Sequence, residues 1–180
     1  MALQTHIDLS NQSLTDAGNT LNTNMDAVDA KLDRINYQFF PAGVNPVGNT
    51  EEVVATANLD ANYLDVDSKG ITIEVWIDFA SNADNKTARV MFGASELSTT
   101  GVTIAQGFCK FECEVIRAGA GSQVCASDRL AADTGNLPGG AIGKFTSEDE
   151  TAVIPIEVRL TCPTTNTDAK CYLLLVRPKL

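Results

Sequence analysis

The sequence of 180 residues contains few of the side chains on which catalytic and metal sites depend. Its only histidine is His6, and it contains no CxxC pair. Structural zinc sites draw on closely spaced cysteine and histidine ligands, and a serine or cysteine nucleophile needs an adjacent base. From these absences we expect a protein that is not an enzyme and that has no metal and no cofactor.

Positive charge and long apolar runs are also scarce. Lysine and arginine number 13 against 23 aspartate and glutamate residues, for a formal net charge of -10. Phosphate backbones and anionic membrane surfaces would repel such a chain. No apolar run approaches the roughly 20 residues needed to cross a bilayer, and MALQTHIDLS has neither the basic nor the apolar region of a secretory signal. We therefore expect neither nucleic acid nor a membrane as a partner.

The five cysteines predict no disulfide framework. On a strand, Cys109 and Cys113 would face the same way about 13 Å apart, which is too far for a bridge. We interpret the cysteines as small buried hydrophobic residues of a protein made in a reducing cytoplasm. A bridge between Cys162 and Cys171 across a predicted hairpin stays open as the alternative.

Two acidic stretches resemble functional motifs and lack essential parts of them. In DVDSKG, Asp65 and Asp67 have calcium-loop spacing, but Lys69 occupies a ligand position and Trp76 stands where the bidentate glutamate belongs. We predict a hairpin turn there. In SEDET, residues 147 to 151, the neighbouring carboxylates are typical of a solvated loop.

Residues 1 to 36 have apolar side chains at helical spacing. The d positions of a heptad pattern are Leu14, Leu21, Val28 and Ile35, and the a positions are Gly18, Met25 and Leu32. Leucine at a with isoleucine at d favours trimers and tetramers over dimers. We predict a helical arm over residues 1 to 40 that trimerises as a short coiled coil and docks the protein, using Leu14, Leu21, Met25, Val28, Leu32 and Ile35. A single amphipathic helix packed on its own domain would show the same stripe.

From residue 51 the apolar pattern has a period of two. PAGVNPVGNT, residues 41 to 50, predicts a linker. In ITIEVWIDF the apolar set is Ile71, Ile73, Val75, Ile77 and Phe79, and FCKFECEVI and TAVIPIEVRL alternate in the same way. Pro155 indicates an edge strand or a bulge. CYLLLVR is apolar on both faces except for Arg177, so we expect both of its faces to be covered.

About eight such strands, separated by turns and with no helix after Ile35, predict a mainly β domain over residues 51 to 180. This pattern is typical of an antiparallel β-sandwich, and among sandwiches we expect a jelly roll.

Four segments carry a resemblance to a known group of proteins. NKTARVMFGASELSTTG, FECEVIRAGAGSQ, TSEDETAVIPIEVRL and TDAKCYLLLVRP occur in this order within residues 71 to 180. In that order they resemble the trimeric jelly-roll modules of bacteriophage virion structural proteins. The chain departs from these modules in the cysteines of the strand from Phe108 and in a long stretch at 127 to 143.

The resemblance implies a homotrimer on the virion. The expected role is a capsid decoration protein or short head fibre whose partners are its own copies and a major capsid protein or other virion protein. The alternative is a tail-fibre or spike head that binds a host-surface receptor or glycan. A carbohydrate-binding module would need exposed aromatic rings, and one tryptophan and three tyrosines count against it.

Overall fold

A computed structural model describes residues 36–80, 82–102, 107–131 and 142–179 as ten antiparallel strands. Their bounds are β1 Asn36–Val44, β2 Glu52–Leu59, β3 Gly70–Phe79, β4 Lys86–Phe92, β5 Ser95–Val102, β6 Gly107–Gly119, β7 Ser122–Ala131, β8 Ile142–Thr146, β9 Ile154–Thr161 and β10 Ala169–Lys179. These residues contain no helix, as the sequence predicts, and so none that is long and apolar enough to cross a membrane.

The strands form two sheets. The larger sheet has the order β1-β10-β3-β6-β7-β8, and the smaller one has the order β2-β9-β4-β5. Without β7 and β8, two four-stranded sheets remain, and the chain crosses between them at nearly every connection. That is the double-sheet arrangement of a jelly roll, here with a β7–β8 extension of the larger sheet.

The core lies between the sheets, on the faces that the alternation predicts. Every second residue of β3, from Ile71 to Phe79, is at most 1% exposed. On β6 the buried set is Cys109, Phe111, Cys113 and Val115, and on β9 it is Ile154, Ile156, Val158 and Leu160. Burying one large apolar side chain contributes about 1.5–3 kcal/mol, so these inner faces dominate the stability of the sandwich.

The first strand begins before the domain boundary drawn from the sequence. β1 covers Asn36–Val44, so it includes the end of the predicted arm, residues 1 to 40, and the start of the predicted linker, residues 41 to 50. NYQFF supplies aromatic residues that favour a strand, and β1 pairs with β10. The arm residues Leu14, Leu21, Met25, Val28, Leu32 and Ile35 lie outside the described residues, and so does the predicted helix.

Pro155 does not mark an edge strand. β9 lies between β2 and β4, and Pro155 is its second residue. The carbonyl oxygen of Pro155 accepts a hydrogen bond from Gly93 N at 2.8 Å, just past the last β4 residue paired with β9, Phe92. A backbone N–H at position 155 would face the β4–β5 turn, beyond the last β4 residue that pairs with β9. The missing N–H of Pro155 therefore removes no hydrogen bond within the β4–β9 ladder, and proline costs little stability there.

The cysteines are free and buried, and the alternative of a Cys162–Cys171 bridge is wrong. Cys162 follows β9 in the smaller sheet, whereas Cys171 lies on β10 in the larger one, so the two strands form no hairpin. Burial raises the pKa of the Cys162 thiol and raises that of Cys171 to about 12.

Native protein should therefore resist thiol labelling at every cysteine. Because the thiolate is the reactive form and all five thiols are buried, maleimide should add nothing at pH 7.5 in minutes and five labels in denaturant, as counted by mass spectrometry. Rapid native labelling of Cys109 or Cys113 would place β6 at the surface and contradict the sheet assignment.

Candidate interaction surface

The outer face of the larger sheet carries a group of apolar side chains. The register places Phe39 opposite Leu173 and Leu173 opposite Trp76. The ring of Trp76 lies 5.6 Å from that of Phe108, and the Phe108 ring lies 6.2 Å from that of Tyr172. Leu173 is 4% exposed, whereas Phe39 is 52% exposed. We call these five residues the aromatic patch.

A buried carboxylate fixes the patch in place. Glu74 accepts a hydrogen bond from Trp76 Nε1 at 2.7 Å, and it pairs with Lys110 Nζ at 3.4 Å and Arg177 Nη2 at 3.9 Å. Hydrogen bonding to Glu112, with which Lys110 forms a 2.9 Å ion pair, raises the pKa of Lys110. These contacts cover Glu74 on a face that alternation alone would leave in water, and they restrict the orientation of the indole ring.

The outer face of the smaller sheet is polar instead. Arg89 and Arg159 lie directly opposite each other on β4 and β9, and like charges in that position repel. Glu51 relieves the repulsion by pairing with Arg89 at 2.9 Å and with Arg159 at 3.5 Å. Glu96 pairs with Arg89 at 3.2 Å and Glu157 with Arg159 at 2.6 Å. The two outer faces of the sandwich therefore differ in chemistry.

A buried amide organises one end of the sandwich. Gln123 on β7 is fully buried. Its Nε2 donates to Glu150 Oε1 at 2.8 Å and to the Glu148 carbonyl at 3.1 Å. Its Oε1 accepts from Glu148 N at 3.0 Å and from the Thr146 hydroxyl at 2.9 Å. The side chain thus uses both ends of its amide to hold the loop between β8 and β9.

Arg117 on β6 ties one further loop, between β2 and β3, to the same point. It binds Glu150 through Nε at 2.9 Å and also pairs with Asp67 in the β2–β3 loop. Burial opposes ionisation of Glu150, but hydrogen bonds from Arg117, Gln123 and Gly121 N outweigh it and lower the pKa of that carboxyl. The predictions for the two acidic stretches are therefore wrong in part: SEDET supplies a buried brace, and DVDSKG connects the two sheets instead of closing a hairpin.

Glu148 holds the turn between β4 and β5. Its Oε1 accepts hydrogen bonds from Ala94 N at 3.1 Å and from the Ser95 hydroxyl at 2.7 Å. Gly93 has a φ of +58°, and a Cβ added there would lie 2.1 Å from Glu148 Oε2. Both the backbone angle and the close approach require glycine.

A shallow pocket of about 250 Å³ opens beside the ion pair of Arg117 and Glu150. Thr151 donates a side-chain and a backbone hydrogen bond to Asp149, and these lower the pKa of Asp149. The lining residues are Asn62, Leu64, Asp65, Arg117, Ala120, Gly121, Asp149, Glu150 and Thr151. With three carboxylates against one guanidinium, the pocket suits an uncharged polar ligand better than an anion.

The opposite end of the sandwich is held by a buried lysine. Lys86 is fully buried at the start of β4, and its ammonium donates to the carbonyls of Ala80 at 2.8 Å and Asn82 at 3.1 Å. The Asn82 amide donates to Asp168 Oδ1 at 3.0 Å. These bonds join the β3–β4 loop to the loop that precedes β10.

The residues predicted from the sequence to form the docking arm lie outside the described residues, so the docking arm stays a prediction. Sequence reasoning missed the aromatic patch, because Trp76 falls on the polar side of β3 and Phe39 inside the predicted arm. The apolar character of CYLLLVR on both faces was the available signal. Within the described ranges no three His, Cys, Asp or Glu side chains form a group that could hold a metal ion.

Comparison with known proteins identifies no family. No family model matches the chain, and no curated protein matches it. Three of the solved structures that are similar to it overlap most of the chain. The CBM2 module of the evolved Dit of Lactobacillus casei BL23 phage J-1 shares 4% identity at a TM-score of 0.41, with 78% of each chain covered.

The other two come from a virus and a plant. The VP2 subviral particle of infectious bursal disease virus shares 13% identity at a TM-score of 0.31 over 79% of this chain and 31% of its own. The metal-free lectin I-B4 from Griffonia simplicifolia shares 8% identity at a TM-score of 0.34 over 82% of this chain and 94% of its own. In all three comparisons the identity is below 25% and the TM-score is below 0.5.

The contact between Gly93 and Glu148 can be tested against a matched glycine. Gly121 has a φ of +61° with nothing within 4 Å of an added Cβ, so Gly93→Ala and Gly121→Ala share the backbone cost of about 1–2 kcal/mol. Gly93→Ala should cost about 1–3 kcal/mol more, because it displaces a carboxylate with two hydrogen bonds. Urea unfolding measures the free energy of unfolding of both variants. Equal losses of this free energy would show that the contact with Glu148 adds nothing to the cost of Gly93→Ala.

The brace at Glu150 should make stability depend on pH. Since its pKa is lowered in the folded state, its contribution is present above the unfolded pKa of about 4.3 and is lost as the pH falls through the folded value. Glu150→Gln should therefore destabilise the protein by about 2 kcal/mol at pH 7 and by much less at pH 3. An equal loss of the free energy of unfolding at pH 7 and pH 3 in Glu150→Gln would contradict a stabilising role of the ionised Glu150 carboxylate.

Proposed function

We propose that this chain is a structural protein of a bacteriophage virion. It is made in the host cytoplasm and acts on the particle as a homotrimeric capsid decoration protein or short head fibre. Residues 1 to 35 attach it, and the sandwich is displayed. It performs no catalysis and needs no cofactor, and its partners are its own copies and a major capsid protein or another virion protein.

The observation that supports this role best is the difference between the two outer faces of the sandwich. The smaller sheet presents ion-paired arginines to solvent, while the larger sheet presents the aromatic patch. Charged groups at both ends of the sandwich are engaged in holding loops, among them Arg117, Glu150 and Lys86. A stable sandwich that carries an apolar patch on one outer face suits a protein whose work is to pack against other subunits.

The attachment is assigned to the arm because of its heptad pattern. The charged e and g positions are limited to Asp29 and Lys31, so the stripe lacks the ion pairs that specify a free-standing coiled coil. Such a stripe suits a segment that completes its burial on another surface. Three arms on one trimer would repeat a weak contact and gain avidity.

A second candidate function is the recognition of a host-surface glycan by a tail-fibre or spike head. The polar pocket beside Asp149 and Arg117 favours it, because its size and planar polar side chains suit a neutral sugar. Titration with neutral mono- and disaccharides, followed by NMR shifts of the Asn62 and Gly121 amides, distinguishes this candidate from the first one.

Replacing Val28 and Leu32 by Asp should abolish binding to undecorated particles, because it places charges in the apolar stripe. The sandwich should keep its far-ultraviolet circular dichroism and its melting temperature. The matched control is Ala27→Asp with Ala30→Asp, which adds the same charges at c and f positions and should bind normally. Normal decoration by the Val28/Leu32 variant in a co-sedimentation assay would move the docking surface into the β domain.

A further inference from the structure

We propose that the aromatic patch is the surface through which the sandwich contacts another copy of this chain. The inference rests on the proposed homotrimer and assigns its subunit contact to the larger sheet. The patch comprises Phe39 on β1, Leu173 and Tyr172 on β10, Trp76 on β3 and Phe108 on β6, so it spans four neighbouring strands.

The patch has the make-up of an interface core. Phe39, Leu173 and Trp76 form one row across β1, β10 and β3, where neighbouring strands lie about 4.8 Å apart. Aromatic side chains are enriched at such cores, and Phe39 leaves half of its surface exposed in the single sandwich. An exposed ring beside the buried Leu173 and the half-buried Trp76 gains burial without refolding.

The charges around the patch suit a second copy. The outer face of the larger sheet carries acidic and basic side chains in nearly equal measure: Glu74, Asp78, Glu112, Glu114 and Asp128 against Lys110, Lys170, Arg177 and Lys179. The whole chain has a net charge of -10, so two copies that meet at random would repel each other. On this face positive and negative side chains are both present, so two copies can approach each other without net repulsion. Ion pairs such as Lys179–Glu114 already neutralise the face locally.

The connection to the first 35 residues favours the same face. Residue 35 precedes Asn36, which begins the edge strand of the larger sheet. Phe39 lies three residues further along β1, about 10 Å away. If the arms of several copies meet, their sandwiches are joined to them through the larger sheet and close to the patch.

The geometry of the rings favours a protein over a sugar as the occupant. Pyranose rings stack on flat, exposed aromatic faces, whereas the rings of Trp76 and Phe108 meet at 78°. The indole N–H is already donated to Glu74, so it is not available for a sugar hydroxyl. An edge-to-face pair on a sheet suits the irregular surface of another polypeptide.

The test compares two exposed phenylalanines on the same sheet in the full-length chain. Phe39→Glu places a charge in the patch, and Phe145→Glu places the same charge at the opposite edge, where Phe145 is 71% exposed. We expect Phe39→Glu to raise the half-dissociation concentration by about tenfold or more and Phe145→Glu to leave it unchanged, as measured by light scattering across a dilution series. Melting curves verify folding.

A second readout uses the unmodified protein. Trp76 is the only tryptophan, so its emission should shift to longer wavelength as dilution separates the copies. An oligomer that resists Phe39→Glu, or that dissociates equally with Phe145→Glu, overturns the assignment of the patch and leaves the homotrimer standing. A chain that is monomeric at every concentration overturns both. A Trp76 emission wavelength that stays constant on dilution but shifts when a neutral sugar is added overturns the inference and indicates a sugar site instead.

Discussion

The architecture depends on one constraint: strand β10 is apolar towards both sides over most of its length. A sheet in a sandwich hides one face against its partner sheet, and here that contact buries every second residue of β3 from Ile71 to Phe79, together with Cys171, Leu174 and Val176 of β10. The other face still carries Trp76, Leu173 and Leu175. Part of it is covered internally, since Trp76, Lys110 and Arg177 close over Glu74. The rest, with Phe39 at its margin, is left for another molecule to cover.

Polar contacts at the two ends of the sandwich hold its loops in place within a single chain. Gln123, Glu150 and Arg117 join three loops at one end, and Lys86 with Asp168 holds the loops at the other. Buried polar groups stabilise a fold only when they are paired, and then they specify one arrangement. In this sandwich Arg117, Glu150 and Lys86 therefore have a structural role.

The sequence predicted much of the fold, because a period of two is a local property. The inner faces of β3, β6 and β9 follow directly from alternation, and the antiparallel sandwich class follows from many short strands separated by turns. The contacts that escaped prediction are distant in sequence. Gln123 and Glu150 are 27 residues apart in the sequence. No local pattern in SEDET therefore indicates that Glu150 accepts a hydrogen bond from the buried amide of Gln123. Pro155 misled because the effect of proline depends on which neighbour its nitrogen faces, and Phe39 was missed because β1 begins inside the predicted arm.

Hydroxyl-radical footprinting of the unmodified protein tests the central claim most directly, because it measures the solvent access of individual side chains in the assembled state. In a single sandwich Phe39 and Phe145 are both exposed, at 52% and 71%, and they lie on strands at opposite edges of one sheet, roughly 24 Å apart. The account predicts that Phe39 and Trp76 are protected at high protein concentration and that Phe145 is modified readily. Modification of Phe39 and Phe145 at similar rates in the concentrated protein would contradict it.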